Sequence, residues 1–270
     1  MHRRVLTLTL AATAGLLLGG CGSFSTTGGS ASRSPKSTGS RSDAEPVSGT
    51  VTVFAAASLK EAFTKLGQQF EASHPGVKVV FNFGPSSGLA TQITQGAPAD
   101  VFASASTKNM GQVVSAGKAV TPKKFVSNVM EIAVPPKNPA NITQLSDLAK
   151  PGVKVALCQS VVPCGATAAK VFVNAKLTLT PVTQEVDVKA VLTKVTLGEV
   201  DAGVVYVTDV RAAGEKVKGI RIPTGVNAST KYPIATLTTA PNKAGGQAFT
   251  DCVLSADGAA VLTAAGFAKP

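Results

Sequence analysis

The chain has 270 residues, 44% apolar and 15% charged, with a formal charge of +11. That length suits one large α/β domain or two lobes, and the apolar share is enough for a full core. Aromatics are only 5% with no Trp, and the basic residues are scattered, so the stacking platforms and basic patches of nucleic-acid binders are excluded. The surplus charge reads first as a solvated surface, with a field that attracts anions as a secondary effect.

Residues 1–20 read as a signal peptide. The basic His2-Arg3-Arg4 precedes an apolar run, Val5 to Leu18, that is short for a membrane span. Leu18-Gly19-Gly20-Cys21 resembles a bacterial lipobox, which makes Cys21 the acylated N-terminus of the mature chain. Loss of Arg3 and Arg4 lowers the charge to +9. Residues 21–48 form a tether of mostly Ser, Gly, Thr and Pro, which cannot bury enough apolar surface to fold. No later segment reaches eighteen apolar residues, so no transmembrane helix is expected. The expected location is the extracytoplasmic face of the cell membrane, held by the lipid.

From Val51 onward, strand and helix patterns alternate. Val51-Thr52-Val53-Phe54-Ala55 is a buried strand. Ser58 follows in an N-cap position with Glu61 three residues on, a capping-box pattern, and Leu59, Ala62, Phe63, Leu66 and Phe70 recur at helical spacing. His74-Pro75-Gly76 stops that helix. Val77 to Phe83 is the next strand, and Gly84-Pro85-Ser86-Ser87-Gly88 opens a second helix. Gly96-Ala97-Pro98-Ala99-Asp100 turns into the strand Val101-Phe102-Ala103. A similar block follows. It has a strand over 153–157, a helix over 166–175, a helix from Asp187 to Leu197 and a strand Ala202 to Tyr206. Tyr232 to Leu237 is a returning strand, and one closing helix spans 243–265.

This alternation predicts mostly parallel sheets flanked by helices. Two lobes are expected, 49–128 with 233–270 and 129–232, joined by crossings near 126–131 and 227–232. Ligand sites in such sheets lie at strand C-termini and helix N-termini, here between the lobes.

Cys158 and Cys164, six apart, form a plausible short-loop disulfide in an exported chain, although the spacing leaves Cys158–Cys252 open. Cys252 otherwise reads as a buried helix residue. His74 is the one His left after signal removal, so neither a Ser–His–Asp nor a Cys–His arrangement can form, and no Gly-x-Ser-x-Gly elbow is present. An enzyme is not expected, nor a resident cofactor.

Several loops place donors where strands give way to helices. They are Ala56-Ala57-Ser58, Ser86-Ser87-Gly88, Pro163-Cys164-Gly165 and Asp187-Val188-Lys189, with Tyr206 at a strand end. Helix N-termini carry unsatisfied N–H groups and partial positive charge, so they accept anions readily. Asp187, the one carboxylate among them, is expected to act as a cap.

These blocks resemble the periplasmic molybdate-binding proteins of ABC transporters. The resemblance rests on Val51-Thr52-Val53-Phe54-Ala55-Ala56-Ala57-Ser58-Leu59, on Ser86 to Ile93, and above all on Gly96-Ala97-Pro98-Ala99-Asp100-Val101-Phe102-Ala103-Ser104-Ala105. It extends through Pro163-Cys164-Gly165, Asp187 to Leu192 and Gly203 to Asp209. It implies a type II two-lobed solute-binding fold with the oxyanion in the interlobe cleft. By position, Ser58, Ser86, Tyr206 and the backbone N–H groups of Cys164 and Val188 are the ligand donors, with Ser87 the alternative to Ser86. Cys164 departs from the Ala frequent at that position, but a main-chain donor tolerates the change. The implied ligand is molybdate or tungstate, the implied partner an ABC permease, and the protein a monomer. Sulfate, or a surface lipoprotein with no transport role, is the alternative.

Overall fold

The computed structural model describes residues 47–270. The signal peptide, Cys21 and all but the last two tether residues lie outside the described residues.

The chain opens with β1 (Gly49–Ala56), whose residues from Val53 onward are all buried. A single 3-10 turn (Ala57–Leu59) leads into α1 (Lys60–Ser73), which buries Ala62, Phe63, Leu66 and Phe70 and ends at His74. Ser58 is not the N-cap of this helix. It lies inside the turn, its side chain makes no cap bond, and Leu59 occupies the cap position. The capping box is thus corrected: the Ser58 hydroxyl is drawn to Tyr232 and the Glu61 carboxylate to Lys189.

Strand β2 (Val77–Gly84), α2 (Ser86–Thr94) and β3 (Val101–Ala103) follow as the pattern predicts. The Gly-Ala-Pro-Ala-Asp block is structural. Asp100 is buried, and its carboxylate accepts from Thr52 N at 2.7 Å and Asn242 N at 2.6 Å, tying β1 to the C-terminal segment. Next come α3 (Thr107–Ser115), capped by Ser106, and β4 (Lys123–Val134). Then follow β5 (Val155–Cys158), α4 (Pro163–Asn174), β6 (Thr183–Glu185), α5 (Val188–Thr196), β7 (Ala202–Tyr206), α6 (Val207–Ala213) and β8 (Lys218–Arg221). The chain closes with β9 (Ser229–Thr236), α7 (Lys243–Leu254) and α8 (Ala256–Ala264).

The expected closing helix over 243–265 is therefore two helices. Ser255 is extended, with φ −69° and ψ 169°, and its hydroxyl caps Gly258 N. Gly258 presses on the carbonyls of Cys252 and Val253 so closely that a Cβ there has no room. Cys252 lies on α7 half-buried, not fully buried.

The strands run in the order β2-β1-β3-β9-β4-β7-β5-β6, with β8 on β4. The pairs β1–β2, β1–β3, β5–β6 and β5–β7 are parallel, whereas every pair made by β4 or β9 is antiparallel. The sheet is thus mixed rather than mostly parallel, because the two long strands return the chain across its middle. β4 changes partners along its length. Residues Lys123–Val129 pair with β9, while Met130–Val134 pair with β7 and β8.

Buried side chains sort the same way. One core gathers residues between Met130 and Ala228, joined by Ala57. Two others gather residues from Val51 to Val126 and from Tyr232 to Phe267, on the two faces of the first parallel strands. Side chains of β1 alternate between these faces, Val53 and Ala55 in one core and Phe54 in the other. That is why a continuous apolar run reads as a strand buried on both sides.

Candidate functional site

A small cavity of about 20 Å³ lies where the strand ends of both halves meet. Its wall is Ala56, Ala57 and Ser58 after β1, Gly84 to Ser86 after β2, Ala105 after β3, Val162 to Cys164 at α4, Asp187 and Val188 at α5, and Tyr206 ending β7. All five residues expected as donors are in this wall. Of the two second-loop candidates, Ser86 is in this wall and 1% exposed, whereas Ser87 is partly exposed and outside the wall. A larger cavity of about 500 Å³, lined by Glu131, Arg211 and Arg221 among others, gathers none of these residues.

Each helix opening presents donors for a local reason. α2 follows Pro85 with no side-chain cap, so its first N–H groups are not consumed by a capping oxygen. α4 has Pro at its first position and again no side-chain cap, which makes Cys164 N its first donor. Asp187 caps α5 as expected, accepting from Lys189 N at 2.8 Å and Ala190 N at 3.0 Å. The cap does not take Val188 N, the donor one residue earlier, and Val188 is in the cavity wall. The first turn of a helix leaves such donors without intrahelical partners, and they favour negative charge.

The α4 opening is held by the Cys158–Cys164 disulfide, Cα–Cα 5.8 Å, and Cys252 carries the free thiol. Gly165 completes it. A Cβ at that residue would collide with the backbone carbonyl of Gln159 and approach that of Cys158 to 2.7 Å. The glycine thus lets the loop that carries Cys158 and Gln159 pack directly against the first turn of α4.

The hydroxyls are oriented too. Ser86 Oγ accepts from Ala105 N at 2.9 Å, which leaves its proton to be donated elsewhere. Ser58 Oγ lies 2.8 Å from Tyr232 Oη. Tyr206 is 1% exposed, and its Oη has no hydrogen-bond partner among the described residues. Burial pushes the Tyr206 phenol well above its ordinary pKa, against a smaller opposing effect of the nearby Thr167 hydroxyl. The group is therefore a proton donor across the physiological range. An orphaned buried hydroxyl costs about 1–3 kcal/mol unless something accepts its proton.

No Lys or Arg lines the cavity. Lys189, adjacent to Val188, turns away. Its Nζ lies 2.8 Å from Glu61 on α1 and 3.0 Å from the buried Asp209 on α6. Burial works against its charge, but these two carboxylates outweigh it and hold its pKa above the usual lysine value.

Sequence reasoning missed Ala105, which orients Ser86, and Tyr232 with Asn128, which stand behind Ser58. A signal for Tyr232 was present. The chain has two Tyr; Tyr206 is in the cavity wall and Tyr232 stands behind Ser58, their rings 6.4 Å apart.

Comparison with known proteins agrees with this geometry. Residues 51–268 match the family described as bacterial extracellular solute-binding protein. The molybdate-binding protein ModA of Mycobacterium tuberculosis strain H37Rv is 44% identical over 232 residues, 85% of this chain and 89% of that protein. In fold, the Azotobacter vinelandii periplasmic molybdate-binding protein superposes with a TM-score of 0.73 at 20% identity, over 82% of this chain and 99% of that one. The sulfate-binding protein SubI of M. tuberculosis H37Rv superposes with a TM-score of 0.70 at 19% identity, over 81% and 86% of the two chains. A small donor-lined cavity between two halves of a mixed sheet, with the match across nearly all of the folded chain, leads to one conclusion: the chain belongs to the bacterial extracellular solute-binding protein family and is a binding protein, not an enzyme.

Proposed function

We propose that this protein captures molybdate, and tungstate equally, and delivers it to an ABC import permease while tethered to the membrane by a lipid on Cys21. The observation that carries the reading is the buried Tyr206 Oη, without a hydrogen-bond partner among the described residues, on a residue that lines the same 20 Å³ cavity as Ser58, Ser86, Cys164 and Val188. A cavity of this size holds little beyond one compact ion, which argues against sugars, peptides and organophosphates. Molybdate at neutral pH carries no proton, so its four oxygens only accept. A wall of donors complements it, whereas a protonated phosphate needs an acceptor. The Asp187 carboxylate, the one candidate, spends Oδ1 on two backbone N–H groups.

Charge-assisted hydrogen bonds contribute about 1.5–3 kcal/mol each. Five to seven of them, less the cost of ordering and closure, correspond to roughly micromolar to nanomolar binding. The 44% identity to ModA supports molybdate over sulfate, since the likeness to SubI is one of fold. We take 49–128 with 233–270 and 129–232 as the lobes that close on the ion, and the protein as a monomer.

Calorimetry of the tetherless protein with molybdate, tungstate, sulfate and phosphate tests the ligand. Molybdate and tungstate should bind at least about a hundredfold tighter than sulfate, and phosphate not measurably. Equal affinity for sulfate overturns the molybdate reading. Metabolic labelling with a fatty-acid analogue tests the anchor: the wild type should be marked and Cys21→Ala should not.

A further inference from the structure

We propose that Tyr232 and Asn128 are positioning residues that keep the Ser58 hydroxyl proton free to be donated to the bound oxyanion. The inference rests on the oxyanion reading and deepens it.

The argument is one of proton direction. Asn128 is 2% exposed, and its Oδ1 accepts from Val129 N at 3.1 Å. That bond fixes the amide's orientation, so the Nδ2 group is the one that faces inward. Nδ2 lies 2.8 Å from Thr208 Oγ1 and 3.5 Å from Tyr232 Oη. An amide nitrogen has only protons to offer. Tyr232 Oη, fully buried, thus has two polar neighbours, and Ser58 Oγ is the one able to accept its proton. Tyr232 must donate to Ser58 across the 2.8 Å contact. Ser58 Oγ then has a lone pair occupied, and its own proton is left for the cavity that it lines.

The same logic operates at Ser86, where Ala105 N, which cannot reverse, takes the acceptor side. Both serines therefore have a free proton to donate before any ligand arrives. A lone serine hydroxyl is ambivalent and can turn its lone pairs toward a protonated anion. In these two the buried partner takes one lone pair, so the proton is not spent inside the protein and stays available to the cavity. Burial also pushes the Tyr232 phenol far above its ordinary pKa, so its proton stays in place. The chain of donors starts on the strands that run between the cores. Asn128 is on β4 and Tyr232 on β9, in the register where Val126 faces Tyr232 and Asn128 faces Thr230. Thr208, on α6, joins the same amide to the second half.

The test is a pair of double-mutant cycles, read by calorimetry with sodium molybdate on the whole mature chain. Tyr232→Phe keeps the ring and removes the hydroxyl, and should weaken molybdate about tenfold. In a Ser58→Ala background the same change should cost less than about twofold, because a residue that acts only through Ser58 has nothing left to orient. Losses that multiply, or a Tyr232→Phe protein that binds like the wild type, overturn the proposal. Asn128→Asp supplies the second cycle if Tyr232→Phe does not fold. An acidic oxygen in place of Nδ2 accepts where the amide donated, so Tyr232 turns to it and Ser58 must donate backward. A fold-loss larger with Ser58 present than with Ser58→Ala supports the relay. Equal fold-losses in both backgrounds reveal simple charge repulsion and overturn it. A wild type that binds no molybdate at all overturns the ligand reading itself, and is thus distinguishable from failure of the relay alone.

Discussion

Replacing Tyr206 by Phe separates a ligand-binding hydroxyl from a packing one, because the two roles predict opposite signs. The ring packs edge-on against Tyr232, centroids 6.4 Å apart, and Phe retains that contact. What is lost is an Oη without a hydrogen-bond partner among the described residues. In the complex this removes one charge-assisted hydrogen bond, about 1.5–3 kcal/mol, or roughly ten- to more than a hundredfold in Kd. In the free protein the same deletion removes a buried polar atom without a partner, so stability should hold or rise by up to about 1 kcal/mol. Calorimetric titration with molybdate and a thermal melt without it make the pair of measurements. Weakened binding with an unchanged or higher melting temperature is the expected result. If Tyr206→Phe binds molybdate like the wild type, Tyr206 is not a ligand and the second half of the site is misplaced. If binding and stability fall together, the hydroxyl is structural.

The other predictions touch separate parts of the molecule. Gly165→Ala should lower stability by about 2–3 kcal/mol through overpacking against the Gln159 carbonyl and weaken molybdate as the Cys164 N–H shifts, seen in melts and titrations. Because the Tyr206 phenol is held protonated by burial, with its pKa above the ordinary 10.0, molybdate affinity should be flat between about pH 6 and 9, and a fall toward pH 9 would contradict the donor-only site. The Asp147 carboxyl is held well below its ordinary 3.8 by hydrogen bonds from Lys150, Thr143 and Gln144. Its stabilising contribution is therefore fully present above pH 3.8 and is lost as pH falls from there through the lowered pKa, so the gap in melting temperature between wild type and Asp147→Asn should narrow below pH 3.8. Glu61→Gln removes one carboxylate from the Lys189 pair that bridges α1 and α5. With Glu61 about half exposed, molybdate affinity should drop by no more than about fivefold, and scattering should show less compaction on adding molybdate.

Where a local pattern decides the structure, the sequence reading and the structure agree. β1 is buried on both faces, so its apolar run has one physical solution. The cap at Asp187 and the helix starts at Ser86 and Val188 follow from side chains within three residues. The reading fails where the deciding contact is distant. Ser58 and Glu61 match a capping box, but Ser58 bonds Tyr232, 174 residues away, and Glu61 bonds Lys189, 128 residues away. The Ala-rich segment after Lys243 keeps an apolar pattern through Ser255, so the break between α7 and α8 is invisible until the tight fit of Gly258 is seen. Tyr232 was absorbed into a strand pattern that explained it fully, and nothing nearby marks it as facing a site. The donors proposed at Cys164 and Val188 are backbone groups with no side-chain signature. They were legible only as positions at helix starts, and the resemblance supplied the rest.

A dianion held as proposed, in a wall with no Lys or Arg among the described residues, still has two negative charges to balance. Here Lys189, the cation nearest in sequence to a donor, is already neutralised by Glu61 and Asp209. On the proposed reading the compensation falls instead to the openings of α2, α4 and α5 and to the hydroxyls of Ser58, Ser86 and Tyr206. The difference matters for selectivity. An ammonium in the pocket would attract any small anion, because a point charge does not register where the protons of its partner lie. Fixed N–H and O–H groups instead leave an unpaired donor, or a donor facing a donor, whenever the ligand carries a proton of its own. Moving the positive charge out of the cavity and into an ion pair that joins α1, α5 and α6 thus does two things at once. It makes the pocket a test of protonation state, and it lets the same lysine hold the two halves around whatever passes that test.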